Sequence, residues 1–280
     1  MKKLAAFVAS RVIAPALLFS MACASTAQAG EPVPNNWDGN WHYSITPYGW
    51  LPGISATMRY RLPEGSVESK TNGSIFDYLS GAFMLEFEAR KNDWGIYTDL
   101  DWVKFSDEKG RFTSIGGDRV GANLGLDTRW GIKGGMFNVS ALYSIGHSDI
   151  GYVDLIFGAR YLWLKGNLDW NFNANGNAGN FNIATSGHRN NQMHVTDAIV
   201  GLKGAWTPFH DSGWFFPYYV DVGAGGSDST FQLKAGVAYA FNWGNIALLY
   251  RDVEYHQSDS DNFVKKATLS GPAFSVTWNF

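Results

Sequence analysis

Cysteine is all but missing. The chain of 280 residues has one, Cys23, inside an apolar stretch near the start that reads as a leader. Disulfides, zinc–thiolate sites and a cysteine nucleophile are therefore excluded from the rest. Beyond that stretch no apolar run approaches the ~20 residues that a membrane-crossing helix needs, which excludes a helical membrane protein. An excess of cations is also missing. Lys2, Lys3 and Arg11 belong to the leader, and without them 19 Lys+Arg stand against 25 Asp+Glu. The basic footprint of a nucleic-acid binder is absent. The six histidines (His42, His147, His188, His194, His210, His256) form no HExxH and no close pair at ligand spacing. There is no G-x-S-x-G and no phosphate-binding glycine loop, so neither a metal nor a cofactor is expected.

Glycine (32 residues) and aromatic side chains (16%) are abundant. That composition suits a barrel, whose strands alternate lipid-facing and lumen-facing residues and keep mean hydropathy modest. At the front, Lys2, Lys3 and Arg11 precede or flank an apolar run from Val12 to Ala24, and Ala27-Gln28-Ala29 is a small-x-small cleavage site. Residues 1–29 are expected to be a signal peptide cut near Ala29, and residues 30–280 the barrel domain.

The last stretch sets the pattern. Phe274, Val276, Trp278 and Phe280 fall on one face, and Ser275, Thr277 and Asn279 on the other. A period of two is a strand with one apolar and one polar side. The same alternation recurs over 41–51, 54–62, 83–90, 94–104, 118–130, 137–147, 152–173, 195–206, 214–224, 230–242 and 246–256. The reading is all-β: a transmembrane antiparallel β-barrel of about 12 strands. Leu51-Pro52-Gly53 reads as a tight turn between the first two strands. Residues 63–73, 171–192 and 257–267 read as polar loops. Ile75, Phe76 and Leu79 share a helical face behind a Ser74 N-cap, so a short helix is expected between strands 2 and 3. A secreted β-sandwich or a small lipocalin-like barrel would bury the same faces. Charges recurring on the polar face, and the aromatic last strand, weigh against both.

That polar face supplies the candidate site. By parity, Glu86, Glu88, Arg90, Asp99, Asp101, Asp127, Arg129, Asp154, Arg160, Asp197, Lys203, Asp221, Lys234 and Arg251 point into the lumen. Both signs are mixed, so they pair to brace the wall or line a path that selects small polar solutes. Glu86, Glu88, Asp99 and Asp101 lie on neighbouring strands as a possible acidic patch favouring cations. No catalytic residue is assigned. His147-Ser148-Asp149 cannot form a triad by itself, because adjacent strand residues point to opposite sides.

Several blocks carry a resemblance: Ser74 to Asp99, Asp154 to Tyr161, Asp197 to Gly201, Asp221 to Ser227, Tyr250-Arg251, Gly271-Pro272 and the aromatic C-terminal strand. Together they resemble a family of proteobacterial outer-membrane β-barrel proteins, porin-like and without an assigned activity. Ala198 stands where that pattern has proline. The resemblance implies an outer-membrane location in a Gram-negative cell, and recurring charges at Asp99, Asp154, Arg160, Asp197, Asp221 and Arg251. The expected partners are outer-membrane lipids, the outer-membrane assembly machinery acting on the strand that ends at Phe280, and small polar solutes. The functional expectation is a narrow or partly plugged channel for such solutes. The alternatives are a structural or surface-interaction barrel and a lipid-modifying hydrolase.

Overall fold

The computed structural model describes residues 36–62, 65–74, 79–111, 122–176, 181–209, 212–257 and 264–280. Every regular element among them is a strand: β1 (His42–Trp50), β2 (Gly53–Leu62), β3 (Gly65–Ser74), β4 (Leu79–Lys91), β5 (Trp94–Arg111), β6 (Ala122–Ser148), β7 (Gly151–Gly176), β8 (Phe181–Trp206), β9 (Trp214–Gly225), β10 (Ser229–Phe241), β11 (Gly244–His256) and β12 (Val264–Asn279).

The wall closes with ten strands, not twelve. Its order is β1-β4-β5-β6-β7-β8-β9-β10-β11-β12, and β12 returns to pair with β1. At the seam, Tyr43 N–H donates to Phe280 O (2.9 Å) and Phe280 N–H to Tyr43 O (3.0 Å). The partner path from Asn279 runs through Ser44, Glu88, Tyr97, Ser140 and Gly158. It continues through Ile199, Gly223, Thr230 and Tyr255 to Ala267 on the same strand. The stagger is twelve residues (279 against 267), which tilts the strands as closure requires.

Two misread punctuation marks account for the count. Leu51-Pro52 is not a turn. Leu51 N–H donates to Pro272 O (3.0 Å), and the chain continues straight along β12 from Trp50↔Ala273 to Gly53↔Ser270. Pro52 merely has no N–H to offer. The break expected between 118–130 and 137–147 is absent too, and β6 runs through Gly131 and Gly134-Gly135. A Cβ at Gly135 would lie 2.6 Å from Asp101 O and 2.8 Å from Trp163 Nε1. Glycine is needed there for close approach, not for reversal.

The expected helix is also corrected. Ser74 ends β3 and Leu79-Ser80 open β4, while residues 75–78 lie outside the described residues. No helix occurs among the described residues. Most of 65–74 is a strand paired with β2, and most of 171–192 belongs to β7 and β8. Polar composition suggested loops. Pairing with a neighbour overrides weak β-propensity.

The short connections 92–93, 149–150 and 242–243 lie at the same end as the start of β1 and the end of β12; we call this the inner end. Asn92 turns the first of them with φ 53°, a conformation asparagine tolerates. At the outer end β6, β7 and β8 are 27, 26 and 26 residues long, against the ~9–11 that a tilted strand needs to span a bilayer. The β9–β10 turn is low by comparison. β8 pairs with β9 only from Asp197↔Gly225 onward, which leaves Phe181–Thr196 without a strand on that side. The hairpin β2–β3 rises beside β12 in the same way. Below is a closed cylinder; above it stand two separate leaves of sheet.

The outward face is apolar, with Phe83, Ile96, Phe157, Val200, Leu248 and Phe274 exposed. Trp41, Trp94, Trp206 and Trp214 ring the inner end, as an interfacial aromatic girdle does.

Candidate functional site

The lumen is filled by layers. Three buried arginines anchor them, Arg251 and Arg160 in the middle and Arg90 at the inner end. Arg251, from β11, is fully buried. Its Nη2 donates to Asp99 Oδ2 (3.1 Å) and Asp101 Oδ2 (3.0 Å), and its Nη1 to Asp101 Oδ1 (3.1 Å). Nη1 also meets the Tyr48 hydroxyl. That hydroxyl lies 2.6 Å from an oxygen of both Asp99 and Asp101. The guanidinium stacks 4.6 Å from the Trp50 ring centroid.

Arg160, from β7, pairs with Asp221. It also donates to Asn138 Oδ1 (2.8 Å), Thr230 Oγ1 (2.9 Å) and Gln232 Oε1 (3.0 Å). Gln232 Oε1 accepts from Arg251 Nη2 as well (3.3 Å), which joins the two clusters. Arg90, from β4, pairs with Asp154 and, through Nε, with Glu88 Oε1 (3.1 Å). Trp37 and Tyr152 lie beside its guanidinium, 5.9 and 5.4 Å away.

Two further pairs keep some exposed surface. Lys234 Nζ donates to Glu86 Oε1 (2.6 Å), Tyr97 OH (2.7 Å) and Asp99 Oδ2 (3.3 Å). Lys203 Nζ donates to Glu88 Oε2 (2.6 Å). Glu86 and Lys203 are 19% and 17% exposed, whereas the waist residues Arg160, Arg251 and Asp99 are at 0%. This exposed ring borders a cavity of about 420 Å³ that reaches the inner mouth past His42 and Asn279. On the outer side of the waist, Trp50, Met84, Met136, Val253 and Tyr255 pack into an apolar lid.

Asp197 does different work. Its two oxygens accept from Ser227 N–H and Ser227 Oγ, both at 2.7 Å, which pins the low β9–β10 turn to β8. At the inner mouth, Asp38 Oδ1 lies 2.8 Å from His42 Nε2 and accepts from Asn40 N–H (2.8 Å). The His42 contact first, then Asn40, hold its carboxyl down at about 2.

Of the fourteen expected lumen charges, eleven join these ion pairs and Asp197 bonds to Ser227. Asp127 and Arg129 complete the set. They stand on the outer part of β6, at register positions opposite Asn171 and Asp169, and their side chains lie outside those described. The acidic patch is also corrected. Glu86 and Glu88 are met by Lys234 and Lys203, and Asp99 and Asp101 by Arg251. Each of the four carboxylates has a cationic partner.

His147 stacks on Trp37 at 4.1 Å at the inner end, away from the outer rim. No group of three or more metal-ligating side chains occurs among the described residues. A search for formal charges passed over Tyr48, Asn138, Thr230 and Gln232. The signal was available: each shares the inward parity of its strand.

No family model and no curated protein matches the chain. Among solved structures it is similar to the outer membrane protease OmpT from Escherichia coli (TM-score 0.44, 10% identity, 89% of this chain and 100% of that one). It is also similar to Ail, the attachment invasion locus protein of Yersinia pestis (0.33, 11%, 86% and 98%). A third is the translocator domain of the autotransporter NalP from Neisseria meningitidis (0.34, 15%, 87% and 90%). At these scores the likenesses carry no argument about duty. This chain is a barrel of the outer-membrane type by its own construction: a closed wall, an apolar outer face and a polar interior.

Proposed function

We propose that this protein is a closed outer-membrane barrel, a structural or surface-interaction scaffold whose work is done by its outer leaves of sheet rather than by passage through its lumen. One observation carries the reading: the waist is occupied by mutually paired, fully buried charges and roofed by an apolar lid. A path for hydrophilic solutes needs a continuous wetted lining. Here the arginines that would line it are spent on neighbouring carboxylates. The channel reading would require Arg251 and Trp50 to leave the lumen, and the bonds from Arg251 to Asp99 and Asp101 oppose that. In this reading the inner end faces the periplasm, since short turns lie on that side and long strands outside. Outer-membrane lipids solvate the outward face. The signal peptide is removed near Ala29, and the strand ending at Phe280 is handed to the outer-membrane assembly machinery.

Planar-bilayer recording of the refolded mature protein tests this. The wild type is expected to be silent. A triple variant, Met84→Ala, Met136→Ala and Arg251→Ala, removes lid and waist and is expected to conduct, proving that insertion was achieved. Stable ohmic steps from the wild type would overturn the proposal.

A further inference from the structure

The cavity at the inner end is not explained by a closed scaffold. A barrel that needs only rigidity would fill it, as it fills the waist. We propose that this vestibule is a binding site for a neutral saccharide of one or two rings.

Size comes first. At about 420 Å³ the vestibule lies within the roughly 300–1,000 Å³ of small-molecule sites. Its lining is divided in a particular way. Along β1 and β12, Ser44, Thr46, Ser275, Thr277 and Asn279 present hydroxyls and an amide, with Thr46 Oγ1 donating to Thr277 Oγ1 (2.9 Å). The next arc, from β9 to β11, is apolar and flat: Phe215, Ala240, Ala247 and Leu249. A sugar ring has the matching division, hydroxyls around its edge and a C–H face. A purely apolar guest would strand the hydroxyl arc, and an ion would gain nothing from the alanine arc.

Charge decides against ionic guests. The lining carries Glu86 and Glu88 against Lys203, Lys234 and Arg90; Glu86–Lys234 and Glu88–Lys203 are paired at 2.6 Å, and Arg90 is held by Asp154 and Glu88. Opposite charges this close cancel at the distance of the cavity centre. An entering anion or cation must break a pair that is partly desolvated, whereas a neutral hydroxyl can accept from a lysine or donate to a glutamate without disturbing either. Both glutamates retain exposed surface toward the cavity, 19% and 15%. They remain available as acceptors for ring hydroxyls.

The test uses the refolded mature barrel in an amine-oxide detergent, which has no sugar headgroup. Methyl α-glucoside and maltose are the neutral probes, glucuronate and glucosamine the charged ones. Saturation-transfer NMR is expected to show saturable transfer to the ring C–H protons of a neutral probe, with at least tenfold weaker binding of both charged ones. Ser44→Phe and Ala247→Leu fill the vestibule from its two arcs and are expected to weaken binding at least tenfold. The heat-dependent gel shift of a folded barrel reports whether each variant is intact. Ser44 lies at a half-buried position, so that variant is retained if Ala247→Leu misfolds. No transfer to either neutral probe at tens of millimolar would overturn the proposal. So would glucuronate binding as tightly as the glucoside, or undiminished binding to a folded Ser44→Phe barrel.

Discussion

The waist and the vestibule ring use the same chemistry at different depth. In the waist, Arg251 meets two carboxylates, a hydroxyl and an amide oxygen with no exposed surface. In the ring, Lys203 meets one glutamate and keeps 17% of its side chain exposed. Depth changes what a missing partner costs. A carboxylate left alone in the waist has no water to fall back on, while Glu88 would still have Arg90 and the cavity.

That contrast ranks the expected effects. Arg251→Ala leaves Asp101 without a cation and Asp99 with Lys234 alone, and is expected to destabilise the barrel by about 3–5 kcal/mol, the usual cost of breaking a buried pair from one side. Urea unfolding in detergent measures it. Asp197→Ala removes two hydrogen bonds to Ser227 and is expected to cost roughly 1–3 kcal/mol, with faster amide exchange confined to residues 225–228. Lys203→Ala is expected to cost about 1 kcal/mol, near the range of exposed pairs. If Lys203→Ala costs as much as Arg251→Ala, the distinction between the layers is wrong.

Two further changes are expected to do almost nothing to the cylinder. Replacing residues 165–192 by an Asn-Gly turn joins Leu164 to Met193, which already face each other in the ladder. The thermal midpoint of the closed wall is expected to stay within a few degrees. Asp38→Asn probes the mouth. The Asp38 carboxyl is depressed to about 2 from 3.8, so its contribution is present above 3.8 and fades as pH falls through 2. Wild type and variant are therefore expected to differ slightly at pH 7 and to converge below pH 2.

Facing was more legible in the sequence than count. Alternation along single strands placed Glu86, Asp99, Arg160 and Arg251 inside without error, because parity is a local property. The turns were misjudged because proline and glycine were read as punctuation. Pro52 only withholds a donor, and Gly135 only makes room for Trp163. The pairing itself was not legible at all. Arg251 and Asp101 are 150 residues apart, and which charge meets which depends on the stagger of the closed wall.

The separation of cylinder from leaves has a mechanical consequence. A closed hoop of hydrogen bonds resists ovalling all the way round, because every strand is restrained on both flanks. Phe181–Thr196 and β3 each have a strand on one flank only. They bend as cantilevers rooted in a stiff tube, and a load applied at the outer tip is taken up above the low β9–β10 rim before it reaches the paired arginines.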